Sequence, residues 1–441
     1  MKRFLSLLLL LALALPALAQ KQLSTVVSTV FLFRQRIDVR AYAGKPYRLA
    51  ARMKLTAPAG DSTAANVFAA YYGQGRKFLG SSTPGLMRAR HRDGAWRPFA
   101  LTGKLPARAA LLILNANTYL SGTFGFDNFT LEVETSKGHW QPVPVANGDF
   151  SAVRADSTSQ FPNGWRPTNL VATHTYRTVP EPSGNRYLEI TGTDVVNYGH
   201  NARAGHTVAL NGIKLYYETY GQGEPLLLLH GNGQSIREMS NQIPALAKHY
   251  QVIAVDTRAQ GQSTNGPQTL TYDLFADDMS ALLTALHIPA AHVVGWSDGG
   301  NTGLSLALHH PQQVKKLVTM GANLWADTLA VTAATLKEVH QGKALTTLFY
   351  PISKRMRRAR PLMVLLLDYP RLKAADLTGI AAPTLVLAGE KDVIQEAHSR
   401  LIASSLPHGQ LRIFPGLTHY APREDPAAFN AAVLGFLQAQ P

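Results

Sequence analysis

One stretch decides how the second half of this chain is interpreted: Ala291-His292-Val293-Val294-Gly295-Trp296-Ser297-Asp298-Gly299-Gly300. An apolar run leads into Gly-Trp-Ser-Asp-Gly, and a helix-compatible run, Asn301 to His309, follows. A serine at the centre of G-x-S-x-G, between a strand and a helix, lies on a tight turn that presents its hydroxyl at the C-terminal edge of a sheet. The flanking glycines allow the close backbone approach that this turn requires. The stretch therefore predicts that Ser297 is a nucleophile rather than an ordinary turn serine.

The length and composition of the chain limit its architecture. Because 441 residues exceed the usual size of a single hydrophobic core, two or three domains are expected. The chain contains no cysteine, which excludes disulfides, a thiol nucleophile and a zinc site of the Cys₂His₂ type.

The first nineteen residues have the pattern of a secretory signal. Lys2-Arg3 is followed by the apolar run Phe4 to Leu15, and Ala17-Leu18-Ala19 has the form that precedes a cleavage site. About a dozen apolar residues are too few to span a bilayer, so we expect no stable membrane insertion. Residues 1–19 are thus predicted to be cleaved before Gln20, which makes the mature protein secreted or periplasmic.

The formal net charge of the chain is +15, and such a balance can indicate a nucleic acid, an anionic polymer or a membrane as a partner. The basic residues are spread along the chain, and no signature of a nucleic-acid-binding fold accompanies them. We therefore expect an exported basic enzyme with no nucleic-acid partner.

Residues 20–202 are rich in short runs typical of β-strands, separated by turns that contain glycine or proline. This spacing predicts an all-β sandwich as an accessory domain. The runs are Val26–Val39, Tyr47–Leu55, Asn66–Tyr72, Ala109–Asn115 and Phe124–Glu134.

Part of this region resembles a known family. The segment from Gly125 to Val133 resembles the closing strand of galactose-binding-like jelly rolls, which occur among carbohydrate-binding modules, and the run Tyr42 to Arg48 fits the same pattern. The segments typical of the family's opening come late, which implies one permuted jelly roll or two joined partial repeats. Those segments are Asn147–Phe150, Phe161–Trp165 and Arg186–Ile190.

The domain could bind a carbohydrate or serve only as a spacer. Tyr71, Tyr72 and Trp96 could stack on a sugar ring. Aromatic side chains in a sandwich belong more often to the core, so this interpretation is the weaker one.

From Arg203 onward, strand-like runs alternate with helix-length segments. The alternation begins after a hairpin signal at Asn211-Gly212 and predicts a mostly parallel sheet covered on both faces, over residues 203–441. Residues 322–382, approximately, contain helical runs but no clear strand, and are expected to form a lid. The helix-length segments include Met239–His249, Tyr272–Leu286, Val393–Leu406 and Asp425–Gln438.

This half of the chain resembles the α/β-hydrolase superfamily. The features that carry the resemblance are the loops after five strands, and the elbow Gly-Trp-Ser-Asp-Gly-Gly is similar to that of valacyclovir-hydrolase-like and carboxylesterase-like members. Ala259 departs from the family pattern, which commonly has glycine there, but that loop is structural. The loops contain His230-Gly231-Asn232-Gly233, Asp256 to Ser263, the Ser297 elbow, and Glu390 to Asp392 with Thr418-His419.

The resemblance and the chemistry together predict a catalytic triad. A serine needs a base within hydrogen-bond reach, and His419, which follows the final strand, is the natural one because imidazole titrates near neutral pH. The acid that orients it is expected to be Asp392, the position at which the family places it, with Glu390 as the rival. The backbone N–H groups of Asn232 and Asp298 are expected to form the oxyanion hole.

Three features remain open to two interpretations. The carboxylate of Asp298 either begins the helix, where it complements the dipole, or faces the pocket, where the resemblance implies a preference for amine-bearing esters. The basic run Lys354 to Arg360 either is a solvated helix face or attracts anionic substrates or a cell envelope. The apolar run Leu362 to Leu367 either lines an acyl pocket or packs the lid against the sheet.

The sequence thus predicts an exported serine hydrolase that cleaves small carboxylic esters through an acyl-enzyme, with no metal and no organic cofactor. Thioesters, lactones, amides and C–C bonds rank behind esters as substrates. In the alternative, the protein is chiefly a carbohydrate-binding or cell-surface attachment protein whose hydrolase domain is secondary.

Overall fold

The computed structural model describes residues 30–57, 63–82, 85–88, 92–152, 161–167 and 173–439. The predicted signal segment, residues 1–19, lies outside this part of the chain. None of the helices that the structure describes is both long and apolar enough to cross a bilayer.

The chain divides into two compact units, Met1–Val196 and Asn197–Pro441. The division comes before the predicted start at Arg203 because Glu218, a buried residue of the second unit, binds the residues just ahead of that point. Its carboxylate accepts hydrogen bonds from the backbone N–H of Gly199 (2.8 Å) and of Asn201 (2.7 Å). These bonds hold the start of the second unit against its own sheet.

The first unit contains two six-stranded antiparallel sheets among its described residues. Its strands are β1 (Val30–Asp38), β2 (Pro46–Thr56), β3 (Ala64–Tyr72), β4 (Phe78–Ser81), β5 (Gly85–Arg88), β6 (Arg97–Lys104), β7 (Leu111–Tyr119), β8 (Gly122–Ser136), β9 (His139–Val143), β10 (Arg166–Pro167), β11 (His174–Pro180) and β12 (Arg186–Gly192). One sheet has the order β10-β1-β7-β3-β4 with β5 beside β3, and the other has the order β11-β12-β8-β2-β6 with β9 beside β8.

The two sheets enclose one core, because alternate residues of each strand point inward. In β2, for example, Leu49 and Met53 are buried whereas Arg48 between Tyr47 and Leu49 is exposed. The late segments join the same two sheets, since β12 pairs with β8 and β10 pairs with β1. The region is therefore one β-sandwich rather than two joined partial repeats.

The second unit is built on an eight-stranded sheet. Its strands are β13 (Gly205–Leu210), β14 (Ile213–Tyr220), β15 (Glu224–Leu229), β16 (Tyr250–Asp256), β17 (Ala291–Trp296), β18 (Val314–Met320), β19 (Thr384–Lys391) and β20 (Gly409–Thr418). The order is β13-β14-β16-β15-β17-β18-β19-β20, parallel from β16 to β20 and antiparallel at the opening hairpin. The predicted class, an α/β-hydrolase fold preceded by an all-β sandwich, is confirmed.

The helices of the second unit cover this sheet. They are α1 (Ile243–Leu246), α2 (Tyr272–Ala285), α3 (Asp298–His309), α4 (Ala333–Leu348), α5 (Lys354–Asp368), α6 (Glu396–Ser405), α7 (Ala421–Glu424) and α8 (Pro426–Gln438). The predicted helix over Met239–His249 is wrong, because only the single turn of α1 forms there. Pro244 has no N–H to donate to a preceding turn, which favours a helix that starts beside it over one that starts at Met239.

The loop after β16 is structural, as the sequence predicts. Arg258 and Asp278 are fully buried and form an ion pair with a nitrogen–oxygen distance of 2.6 Å. Ala259 has a φ of 68°, which explains why relatives of this fold commonly use glycine at the position. Alanine here is accommodated at the cost of backbone strain.

The chain between β18 and β19 contains the helix pair α4 and α5, which we call the lid helices. Leu362 and Leu365 of α5 are buried against an apolar cluster at the start of α2. The described members of that cluster are Leu270, Tyr272, Phe275, Leu362 and Leu365. These two leucines of the apolar lid run therefore pack against the body of the unit.

Candidate active site

Ser297 lies on a strained turn between β17 and α3. Its φ of 56° and ψ of −115° are values that non-glycine residues rarely adopt, and such strain is typical of functional sites. A side chain at Gly295 would approach the carbonyl oxygen of Gly299 to 2.1 Å, so the turn cannot form without glycine there. The N–H of Ser297 donates to the carbonyl oxygen of Met320 (2.7 Å), which fixes the elbow to β18.

His419 and Asp392 meet at the ends of the neighbouring strands β20 and β19. The Nδ1 atom of His419 lies 2.7 Å from Oδ1 of Asp392. Burial raises the pKa of Asp392, but the charge of His419 and the hydrogen bonds to the carboxylate outweigh it and leave the pKa below its ordinary value. Asp392 is therefore an ionised acceptor, which places the Nδ1 proton of His419 toward it and leaves Nε2 for other contacts.

Glu390, the rival acid, is exposed and accepts a hydrogen bond from the N–H of Gly416 (2.6 Å). The structure thus brings Asp392, and not Glu390, to His419.

Two contacts bring His419 to the elbow. Trp296, which precedes Ser297, donates its Nε1–H to the carbonyl oxygen of His419 (2.8 Å). Gly321 follows Met320, whose carbonyl oxygen accepts the N–H of Ser297. A β-carbon at Gly321 would lie 2.6 Å from Nδ1 of His419. The glycine therefore leaves the space that the imidazole ring occupies.

In the loop after β15, the backbone donors on either side of Asn232 are paired. The N–H of Gly231 donates to Oε1 of Gln234 (2.9 Å), and the N–H of Gly233 donates to Oε1 of Gln260 (2.5 Å). Between them, the N–H of Asn232 has no hydrogen-bond partner among the described residues, and the same holds for the N–H of Asp298. These two unpaired donors are the ones that the sequence analysis assigns to the oxyanion hole.

The carboxylate of Asp298 is buried beside Ser297. It accepts hydrogen bonds from Nδ2 of Asn232 (2.9 Å) and from the hydroxyl of Tyr272 (2.8 Å). Burial raises the pKa of Asp298 to about 6, although both hydrogen bonds and the charge of His419 oppose the shift. The carboxylate therefore does more than begin α3, because it is part of a buried polar network behind Ser297.

Sequence reasoning missed two members of this network. Tyr272 was assigned only to the start of a helix, and no local pattern shows that its hydroxyl reaches Asp298. Asn232 was assigned through its backbone alone, but its side chain also donates to the carbonyl oxygen of Leu362 (3.2 Å) in α5. One amide thus joins the loop after β15, the elbow and a lid helix.

His230 is structural, as expected. It is fully buried, and both ring nitrogens have hydrogen-bond partners, the carbonyl oxygen of Gly231 and the N–H of Thr257. Burial lowers the pKa of His230 to about 4, so its ring is neutral. Within the described ranges, no group of three His, Cys, Asp or Glu side chains is arranged to hold a metal ion.

The raised pKa of Asp298 predicts a pH-dependent stability. Between about pH 4 and 6 the folded protein holds a proton on Asp298 that the unfolded chain has already released, so stability falls as the pH rises through this window. A shift of this size corresponds to roughly 2–3 kcal/mol between pH 4 and pH 7. The Asp298→Asn variant cannot ionise at this position and should lose less stability over that range, by about this amount.

Urea unfolding of the protein and of the variant at both pH values measures this difference. The pKa of Asp256, also buried, is raised to about 6, but Asp256 is present in both proteins and cancels from the comparison. Parallel stability profiles for the two proteins would contradict a buried, titrating carboxylate at position 298.

Comparison with known proteins agrees with the fold of the second unit. The family model described as the alpha/beta hydrolase fold matches residues 224–373. The candidate carbamate hydrolase RutD of Caulobacter sp. (strain K31) is 31% identical over 273 residues, which cover 51% of this chain and 96% of that protein. The serine hydrolase BPHL of Mus musculus is 28% identical over 260 residues, covering 52% of this chain and 85% of its own.

Among solved structures, a hydrolase from Pseudomonas aeruginosa is 29% identical with a TM-score of 0.44, and the match covers 54% of this chain and all of the other. These matches each span about half of the chain. The relative from Caulobacter is aligned over nearly its full length at more than 30% identity. The chain therefore belongs to the α/β-hydrolase fold family.

Proposed function

We propose that this α/β hydrolase cleaves small carboxylic esters through an acyl-enzyme, with Ser297 as nucleophile, His419 as base and Asp392 as the acid that orients the base. The observation that carries the proposal is the 2.7 Å contact between Asp392 and His419, held by Trp296 and Gly321 against the strained turn of Ser297. A base that is itself oriented by a buried carboxylate, beside a half-buried serine on a strained turn, is the arrangement that activates a hydroxyl for acyl transfer.

Each group has a defined role in this reaction. The Oγ atom of Ser297 attacks the ester carbonyl carbon while Nε2 of His419 accepts its proton. The oxyanion of the tetrahedral intermediate accepts hydrogen bonds from the N–H groups of Asn232 and Asp298. The intermediate collapses as His419 returns the proton to the leaving alcohol, and a water molecule then repeats the sequence to release the acid.

Esters rank first because an alcohol is a better leaving group than an amine, so the least demanding substrate of this machinery is an ester. The name of the Caulobacter relative refers to carbamates, and the same attack by Ser297 on a carbamate carbonyl would use the same groups. We therefore place carbamates beside thioesters and lactones in the panel that tests the proposal.

Labelling with a fluorophosphonate probe tests the nucleophile directly. We expect one equivalent of probe on the peptide that contains Ser297, together with turnover of short-chain p-nitrophenyl esters. Heat-denatured protein is the control and should not be labelled, because an isolated serine is a poor nucleophile. Absence of labelling on the native enzyme, or labelling at another residue, would sink the proposed mechanism.

Export is part of the same proposal. It is supported by the basic and apolar pattern of residues 1–19 and by the small residues before Gln20. The enzyme would then act on esters outside the cytoplasm.

Carbohydrate binding by the first unit is the second candidate function. A shallow cavity of about 310 Å³ is lined in part by Arg52, Trp96 and Asn128, which combine an aromatic ring with hydrogen-bonding groups. Tyr71, by contrast, is buried in the core and shares a hydrogen bond with Tyr47 (2.6 Å). Glycan-array binding by the protein, without detectable esterase activity, would favour this function over the first.

A further inference from the structure

Exposed apolar side chains are concentrated at one place in the second unit. Of the six large apolar side chains that are exposed among the described residues, three lie within residues 348–352, at the end of α4 and in the turn that leads to α5. Leu348 is 71% exposed, Tyr350 is 43% exposed and Ile352 is 79% exposed. We call residues 348–360, which include this turn and the first half of α5, the lid tip. Such a cluster differs from single exposed apolar residues, which need no explanation.

The same segment is strongly basic and contains no acidic residue. Two of its arginines support the apolar turn, since Arg357 donates to the carbonyl oxygens of Tyr350 (3.2 Å) and Pro351 (2.9 Å), and the guanidinium carbon of Arg360 lies 5.7 Å from the centre of the Tyr350 ring. The remaining cations, Lys354, Arg355 and Arg358, are exposed, and no carboxylate pairs with them in the part of the chain that the structure describes.

Helix stability does not account for these cations. Lys354, Arg355 and Arg357 lie in the first turn of α5, where the helix dipole is positive and basic side chains are unfavourable. The first turn contains no acidic residue to offset them. The positive potential of the lid tip is therefore larger than its five basic side chains alone would produce. Such a potential favours an anionic partner.

We propose that the lid tip docks on an anionic lipid surface. Leu348, Tyr350 and Ile352 enter the boundary between headgroups and acyl chains, while the exposed cations bind the phosphate groups of anionic lipids. A turn that combines apolar and aromatic tips with flanking Lys and Arg is suited to that interface. This proposal is independent of the ester chemistry, because it concerns a surface that contains none of the catalytic residues.

Two other occupants fit the lid tip less well. A soluble anionic polymer would bind the cations but would leave Leu348 and Ile352 in water. A second copy of this chain would bring five cations against five others with no acid between them, and like charges oppose such contact. A lipid surface alone satisfies both the charge and the apolar side chains.

Vesicle co-sedimentation of the full-length protein tests the proposal. We use ether-linked lipids, so that any esterase activity leaves the vesicles intact, and compare phosphatidylcholine alone with a 3:1 mixture of phosphatidylcholine and phosphatidylglycerol. Binding is expected only to the mixture, and it should weaken as salt is raised. Each basic residue at an anionic surface strengthens binding by about fivefold, so Arg355→Gln/Arg358→Gln should weaken it by about 30-fold.

The apolar side chains have their own variants and matched controls. Leu348→Ser/Ile352→Ser should weaken binding by at least about tenfold, because two side chains no longer leave water. Leu329→Ser is the control for exposure, since Leu329 is also 71% exposed but lies outside the lid tip. Lys214→Gln/Arg412→Gln is the control for charge, and both control variants should bind as the unmodified protein does.

Several results would overturn the proposal. Equal binding to neutral and anionic vesicles, or equal losses in the control variants, would show that the lid tip is not the contact. Binding of dextran sulfate that depends on the arginines, with no vesicle binding, would assign the surface to soluble polymers. Circular dichroism shows whether each variant is folded, so a loss of binding cannot be attributed to unfolding.

Discussion

The Ser297→Ala variant is expected to lose ester hydrolysis almost completely, with kcat reduced by about 10⁴- to 10⁶-fold. Alanine removes the hydroxyl that attacks the carbonyl carbon in the proposed mechanism, and that mechanism assigns no other group on the elbow to form the acyl-enzyme. The remaining rate would come from binding and from the two backbone donors, which still stabilise an oxyanion formed by water. The substitution removes one oxygen from a turn whose glycines are unchanged, so the fold should persist.

Steady-state kinetics with short-chain p-nitrophenyl esters measures this loss. Ser404→Ala is a matched control, because Ser404 is exposed on α6 and its hydroxyl donates only to the carbonyl oxygen of Leu401 (3.1 Å). That variant should turn over substrate at the unmodified rate. Undiminished turnover by Ser297→Ala would contradict the proposed mechanism outright.

The Asp392→Asn variant should lower kcat by about 10⁴-fold while changing KM little. An asparagine at this position can present its amide N–H to Nδ1 of His419, which favours the tautomer whose Nε2 carries a proton and cannot accept one from Ser297. The positive charge that develops on His419 would also lose its partner. KM should be nearly unchanged because the Asp392 side chain is only 1% exposed, which keeps it out of reach of a bound substrate.

Glu390→Gln provides the comparison. The Glu390 carboxylate is exposed and binds only the N–H of Gly416, so its loss should change kcat by no more than a few-fold. A larger loss of kcat in Glu390→Gln than in Asp392→Asn would contradict the assignment of the acid to Asp392.

The elbow and its partners could be predicted because each depends on local sequence or on chain order. Gly295 is required by the backbone of the turn itself, whereas Gly299 is required by the close approach of the backbone at Leu229 in β15. An apolar run marks the strand before them. Asp392 and His419 follow consecutive parallel strands, and such strands bring their C-terminal ends to one edge of the sheet. The hairpin at Asn211-Gly212 was equally local, since both residues take the positive φ that this turn type needs.

The polar network behind the elbow could not be predicted in the same way. Its bonds join residues that are 26 positions apart, from Tyr272 to Asp298, and 130 apart, from Asn232 to Leu362. Neither tyrosine at a helix start nor asparagine in a glycine-rich loop has a pattern that specifies such a partner. The packing of α2 beside α3 brings Tyr272 to Asp298, and the packing of the lid helix α5 brings Leu362 to Asn232.

The failed helix over Met239–His249 has a different cause. The segment has the composition of a helix, but composition does not show where one proline interrupts the hydrogen-bond ladder. Pro244 lies in the first turn of α1 and keeps that helix from starting as early as Met239. A position-specific constraint thus outweighed the average propensity of its neighbours.

Tyr272 contacts both the lid and the elbow. Its ring packs with Leu362 and Leu365 of the lid, and its hydroxyl holds the carboxylate that adjoins Ser297. A lid above a sheet can diverge freely to accept new substrates, yet here a change at either leucine would loosen the tyrosine and leave a buried charge poorly paired. A change of substrate specificity can therefore alter residues 354–360 of α5 freely. It must keep apolar side chains at Leu362 and Leu365, where the helix meets Tyr272.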